Sequence, residues 1–278
     1  MSRQIRIAQI SDLHIKQEGQ LAYGRVDTAK ALERCVAALN ELDPAPDFVV
    51  ISGDLADTPT EQEYIHLRRL LAPLKLPFAG VPGNHDSREM MRAAFPESFY
   101  ALQSGPLNQA IEVGELDLVL LDSSVPGKPY GALAASTLDW LDTILGASSS
   151  RPALLFLHHP PFISGIWHMD RQNLRDADQL APIVIRHPRV RLVATGHVHR
   201  AILTQFAGVP CTICPAPNHA VDLDLGQLHA PSFKVEPPAF HLHAWFAGEA
   251  FGDLVTHQVP IGRFDGPHPF FGPDGKLL

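Results

Sequence analysis

The stretch Val81-Pro82-Gly83-Asn84-His85-Asp86 decides how the chain is read. Its first residue closes Phe78-Ala79-Gly80-Val81, an apolar run of the length of a short buried strand, and Pro-Gly stops that strand. Three polar side chains come next with no spacer. Asn, His and Asp side by side at a strand end are costly to bury unless a metal or a bound phosphate organises them. The same pattern recurs along the chain. Residues 5–10 run into Asp12 and His14, residues 48–51 into Gly53 and Asp54, residues 153–157 into His158, and residues 190–194 into Gly196, His197 and His199. Each apolar run ends in oxygen or nitrogen donors, and in open α/β sheets ligands bind beyond the carboxyl ends of the strands.

Between these strands the spacing is helical. Asp27 reads as an N-cap, after which Leu32, Cys35, Val36, Leu39 and Leu42 follow a helical period until Pro44 and Pro46. In Thr58-Pro59-Thr60-Glu61, Thr58 is expected to cap a second helix, with Pro59 at its first position and Glu61 closing a capping box. The first third therefore reads β-α-β-α-β, with parallel strands and right-handed crossovers. Residues 110–113 and 116–121 form a hairpin around Gly114, and residues 136–146 a helix. Residues 162–175 have no clean period and read as a loop or lid over the site. Beyond His199 the pattern turns antiparallel, with residues 201–206 and 209–213 joined at Gly208. Residues 240–246 alternate strictly and predict a half-buried strand, paired with residues 254–259. The fold class expected is α/β, or α+β by some schemes, in one domain over residues 1–278.

Bulk composition narrows the partners. The chain has 278 residues, 45% of them hydrophobic, enough for a sizeable core. Its formal net charge of −8 argues against a nucleic-acid polymer or an anionic membrane as partner. The N-terminus enters a strand directly, no apolar run is long enough to span a bilayer, and three cysteines suit a reducing compartment, so a cytoplasmic location is expected. Cys211 and Cys214 have redox or zinc spacing, but they lie in a strand-like run without a second pair and read as core residues.

The donors are Asp12, His14, Asp54, Asn84, His158, His197 and His199. Carboxylate, imidazole and amide without thiolate suit divalent ions such as Mn, Fe, Zn or Co. Seven donors exceed what one ion usually takes and fit two ions sharing a carboxylate. In this order and context, Asp12-Leu-His14, Gly53-Asp54, Gly83-Asn84-His85-Asp86, His158 and Gly196-His197-Val-His199 resemble the motif series of the calcineurin-like metallophosphoesterases. The resemblance implies a four-layer α-β-β-α sandwich with two divalent metal ions. Asp12, His14, Asp54 and His199 would hold one ion, and Asp54, Asn84, His158 and His197 the other, with Asp54 bridging. It also implies that His85 contacts the phosphoryl group and assists the departing oxygen.

Departures narrow the subfamily. Leu55-Ala56-Asp57 stands where protein Ser/Thr phosphatases carry Asp-Arg-Gly, and no Tyr ligand follows Gly53-Asp54 as in purple acid phosphatases. Tyr23-Gly24 and His158-His159-Pro160-Pro161 resemble bacterial class III cyclic nucleotide phosphodiesterases and related glycerophosphodiesterases. The activity implied is hydrolysis of small phosphodiesters by a hydroxide bridging two metals, with 3′,5′-cyclic nucleotides such as cAMP favoured. Glycerophosphodiesters are the alternative substrate, and a non-catalytic metal-binding scaffold the alternative of a different class. The resemblance further implies a catalytic core to about residue 215 and a segment from about 216 to 278 that caps the site and joins copies into a homodimer or larger homo-oligomer. Among the remaining polar residues, Asn84, His85 and His219 are candidates to touch substrate. Trp167, His168 and Asp170 are either entrance residues or plain loop. His159 is expected to pack structurally, Asp86 to support the loop, and His241 and His243 to face solvent or an interface.

Overall fold

A computed structural model describes residues 4–97, 104–147, 150–248 and 253–278. In chain order the elements are β1 (Ile5–Ile10), α1 (Thr28–Glu41), β2 (Phe48–Ile51), α2 (Glu61–Leu71), β3 (Phe78–Gly80), α3 (Arg88–Ala94), β4 (Gln109–Val113), β5 (Leu116–Leu121) and α4 (Ala135–Ala147). They continue with β6 (Ala153–Leu157), α5 (Trp167–Asp170), α6 (Ala177–Arg186), β7 (Val190–Thr195), β8 (Ile202–Phe206) and β9 (Val209–Ile213). The last are β10 (Ala220–Val221), β11 (Phe233–Lys234), β12 (Ala239–Trp245) and β13 (Leu254–Pro260).

The strands form two principal sheets, ordered β13-β12-β1-β2-β3 and β4-β5-β6-β7-β9-β8. Side chains alternate across each strand, so one sheet face meets the other sheet and the opposite face meets helices. Ile5 and Ile7 of β1 pack with Leu154 and Phe156 of β6 in the core between the sheets. Ala8 and Ile10 turn outward to the core shared with α1 and α2, whereas Leu155 and Leu157 turn outward to that shared with α4 and α6. The result is the expected α-β-β-α layering. No described helix is long and apolar enough to cross a membrane.

Three local expectations are corrected. The cap of α2 is Thr60, whose hydroxyl accepts from the Glu63 N–H, and the Glu63 carboxylate in turn accepts from the Thr58 N–H at 2.7 Å. The cap thus lies two residues later than the Thr58–Glu61 spacing suggests, and the reciprocal bond goes to Thr58 and not to the cap's own N–H, because Pro59 belongs to the lead-in and not to the first turn. Strand β9 pairs antiparallel with β8, but it joins the sheet by pairing parallel with β7. Strand β12 is buried on both faces except at Leu242, because it lies inside the sheet between β1 and β13. Its alternation records two different buried faces. His241 and His243 are accordingly 5% and 0% exposed, not solvated, and His243 bonds Thr256 and Gln9 through its two ring nitrogens. Ala239–Trp245 and Leu254–Pro260, within the segment expected to cap the site, supply strands β12 and β13 of the first sheet.

Candidate metal centre

Strands β1, β2 and β3 of one sheet and β6 and β7 of the other end at the same edge of the sandwich. Beyond them the backbone turns sharply. Asp12, His14, Asp54, His197 and His199 all adopt positive φ, between 47° and 75°. Non-glycine residues in that region are strained, and such strain concentrates at functional sites. Backbone bonds hold the turns in place: Asp12 N–H donates to the Gly53 carbonyl at 3.0 Å and His14 N–H to the Asp54 carbonyl at 2.9 Å. Within the second sheet, where β6 and β7 end side by side, Gly196 N–H donates to the His158 carbonyl at 3.0 Å. Glycine is required where the loops cross, since a Cβ on Gly83 would lie 2.1 Å from Asp54 Oδ1.

These turns bring the seven candidate ligands together. Asp54 Oδ2 lies 3.3 Å from His158 Nε2 and 3.6 Å from His14 Nε2. Its other oxygen, Oδ1, accepts from the His85 N–H at 2.9 Å. Asp12 Oδ1 lies 3.4 Å from His199 Nε2, and both Asp12 oxygens accept from the His197 N–H. The imidazoles are oriented from behind. His158 Nδ1 donates to the Ser52 carbonyl at 2.8 Å, His199 Nδ1 to the His219 carbonyl at 3.2 Å, and His14 Nδ1 to the Asp57 carboxylate at 3.2 Å. Such bonds fix the tautomer and turn the Nε2 lone pair inward, as outer partners of metal-binding histidines do.

The inward atoms are oxygen and nitrogen donors that suit a cation. His14 Nε2 faces His199 Nε2 at 3.2 Å, and His197 Nδ1 faces His158 Nε2 at 3.3 Å. Two lone pairs at that distance repel unless a proton or a metal lies between them. Asn84 Oδ1 and His197 Nε2 are buried without a partner. Ligand atoms of Asp12, His14 and His199, and of Asp12, Asp54 and His158, form groups compact enough to hold an ion.

The charges are correspondingly strained. Burial raises the Asp54 carboxyl, but the surrounding imidazolium of His158 and the charge of His85 outweigh it and hold Asp54 well below the usual carboxylate range. Burial lowers His158, and the Asp54 and Asp12 carboxylates more than reverse this, pushing it up to about 9. Asp12, pushed up to about 6 mainly by burial, and His197 and His199, held well below their ordinary value by burial and neighbouring imidazoles, complete the cluster.

Around this floor lies a cavity of about 390 Å³, lined also by His85, His219, Tyr23, Phe233, His168 and Met169. His85 Nδ1 donates to the Asp57 carbonyl at 2.7 Å. His219 is 4% exposed, with its ring against His199. Of the loop residues, His168 lines the cavity, whereas Asp170 accepts from Ser164 and Gly165 and closes its own loop. His159 meets the Ser123 hydroxyl through Nδ1 at 2.8 Å, and its ring lies 4.9 Å from those of His158 and His197, with which it forms a further group of nitrogens compact enough to hold an ion. Asp86 accepts from the N–H groups of Gly83, Leu55 and Ala56 and from the Tyr64 hydroxyl, tying the two ligand loops together. A larger groove of about 690 Å³ opens beside α1 and α2, lined by Glu18, Lys30 and Arg69 among others and by none of the candidate ligands. Sequence reasoning missed Asp57 as the partner of His14. The signal was its position three residues after Asp54 in Gly-Asp-Leu-Ala-Asp.

Comparison with known proteins places this geometry. Residues 5–201 match the family described as Calcineurin-like phosphoesterase. A probable glycerophosphodiester phosphodiesterase GpdQ from Arcobacter nitrofigilis is 38% identical, over 98% of this chain and 99% of the relative. The 3′,5′-cyclic adenosine monophosphate phosphodiesterase CpdA of Escherichia coli K12 is 31% identical, over 94% and 92%. Among solved structures, a dimetal phosphatase from Danio rerio shares the fold with a TM-score of 0.60 at 13% identity, covering 93% of this chain and 99% of that one. A match over residues 5–201, together with relatives aligned over nearly the whole length, shows that this chain belongs to the calcineurin-like phosphoesterase family.

Proposed function

We propose that the chain is a phosphodiesterase that hydrolyses small phosphodiesters at two divalent ions, with 3′,5′-cyclic nucleotides as preferred substrates. The observation that carries this reading is Asp54 Oδ2, placed within 3.6 Å of imidazole nitrogens from both sides of the seam, at His14 and His158. Asp12, His14, Asp54 and His199 would hold one ion, and Asp54, Asn84, His158 and His197 the second. When bound, such ions supply Lewis acidity toward phosphoryl oxygens and make a nucleophile available from water at neutral pH. The ions are drawn from Mn, Fe, Zn and Co, since the donor set carries oxygen and imidazole nitrogen without thiolate.

The protein's own groups do the rest. His85 has Nδ1 committed to the Asp57 carbonyl, so Nε2 is the nitrogen left to meet a phosphoryl or departing oxygen in the cavity. The His85 N–H donates to Asp54 Oδ1, and Oδ2, which faces the His14 and His158 imidazoles, is the Asp54 oxygen that would be turned toward the ions. Glycerophosphodiesters are the second reading, favoured by the 38% identity to the Arcobacter nitrofigilis protein over nearly the whole chain. A cytoplasmic location is supported by Cys35, Cys211 and Cys214, which are free, buried thiols, with burial pushing Cys35 up to about 12. Exposed Phe270, Phe271, Leu277 and Leu278 supply apolar surface for assembly into a homo-oligomer.

Three outcomes follow from this reading. With added manganese the protein should hydrolyse bis(p-nitrophenyl) phosphate, losing activity in chelator, and Asp54→Asn should abolish turnover; full activity after exhaustive metal removal would contradict the reading, and a tolerated Asp54→Asn would favour a scaffold. His85→Ala should lower kcat/KM for a natural alkyl diester by about 10²–10⁴-fold and for a p-nitrophenyl diester far less, because only the alkoxide needs help to depart; equal losses would assign His85 to positioning alone. The third concerns pH. His158, raised to about 9 without metal, carries a proton at pH 7 that an ion must displace. Metal affinity should therefore climb as pH rises from 7 to about 9 and level off above. Calorimetry of manganese binding in buffers of different ionisation enthalpy should register the released proton; affinity independent of pH across this range would refute the assignment.

A further inference from the structure

The cavity above the cluster is lined on one flank by three rings that touch one another. Tyr23 and Phe233 lie with ring centroids 4.9 Å apart at 34°, and His219 sets its edge against Tyr23 at 5.3 Å and against Phe233 at 5.2 Å. The rings come from distant parts of the chain. Phe233 is fixed on β11, paired with Val221, and Val221 also lines the cavity. Tyr23 stands at the tip of a tight loop, at φ 51°, between Ala22 and Val26. Those two residues exchange both backbone bonds at 2.9 Å, and their side chains are buried. The loop is thus anchored at its base, while Tyr23 itself is 56% exposed. A ring held this way offers a flat apolar face at little cost in ordering.

Two further observations bear on what meets that face. No lysine or arginine is among the described residues lining the cavity, so this flank offers no charge to a second anionic group. At about 390 Å³ the cavity also falls within the range, roughly 300–1,000 Å³, of pockets that enclose a whole organic ligand, more than a glycerol moiety needs.

We infer that Tyr23 and Phe233 form a stacking wall that selects diesters carrying a planar nucleobase over diesters of glycerol. This rests on the phosphodiesterase reading and adds the residues that choose among its substrates. A wall that reads a π-face is tolerant of which base it meets, so adenine and guanine nucleotides should both be accepted.

The test uses the manganese-loaded full chain and the variants Tyr23→Ala, Phe233→Ala and Tyr23→Phe. Turnover is compared for cyclic AMP and glycerophosphoglycerol, which has neither ring nor cation. Binding is measured by calorimetry for AMP and ribose 5-phosphate, which needs no turnover. Loss of one stacking partner should lower the ratio of kcat/KM for cyclic AMP to that for glycerophosphoglycerol about tenfold, through KM rather than kcat. The preference for AMP over ribose 5-phosphate should fall by a similar factor, and Tyr23→Phe should keep both ratios, which a loss of folding would not permit. The inference is overturned if wild-type protein binds AMP no more tightly than ribose 5-phosphate. It is also overturned if the alanine variants lose both ligands equally, or if turnover of glycerophosphocholine, measured alongside, is the only one they lose, which would make the rings a cation site. If neither diester is hydrolysed yet AMP binds through its base, the phosphodiesterase reading fails while the wall stands.

Discussion

A carboxylate buried at the seam between two sheets is the constraint on which this structure depends. Asp54 is 2% exposed, and an ionised carboxylate in such a place is untenable without compensating charge. Compensation comes from both sheets: His14 follows β1, His158 follows β6, and the His85 N–H arrives from the loop after β3. Each group reaches Asp54 only because its strand ends where it does. The inter-sheet packing of Ile7, Phe156 and their neighbours therefore sets the distances at the cluster as well as the stability of the sandwich.

The turns that deliver these groups are costly. Left-handed backbone at a non-glycine residue costs of order 1–3 kcal/mol, and Asp12, His14, Asp54, His197 and His199 all adopt it. The inward nitrogens of His14 and His199 at 3.2 Å add repulsion. Bound cations would relieve that repulsion and neutralise Asp54, offsetting the cost of the backbone turns without removing it. The same arrangement explains the scaffolding behind the ligands, where Asp86 accepts four hydrogen bonds and Asp57 holds both His14 and Lys16.

Much of this was legible in the sequence. Strand β1 at residues 5–10 and β2 at residues 48–51 were read with the limits the structure has, because an apolar run that ends in Asp-Leu-His or Gly-Asp leaves little freedom. The seven donors could be named for the same reason. What escaped the reading depends on contacts between distant residues. The burial of His241 and His243 follows from β12 lying between β1 and β13, a pairing that an alternating pattern does not specify. The parallel entry of β9 beside β7 is a property of the whole sheet. The contact of Tyr23 with Phe233 joins positions far apart in the chain, and neither residue carries a local signal for it. The cap at Thr60 was displaced by a local ambiguity, since Thr58 and Thr60 both precede acidic residues.

The most direct measurement is anomalous diffraction at the manganese edge from crystals of the loaded protein. Two peaks flanking the Asp54 carboxylate, about 3.5–4 Å apart, are expected, one toward His14 and His199 and the other toward Asn84, His158 and His197. A single peak, or peaks that leave Asp54 outside contact distance, would contradict the bridging role on which the account rests.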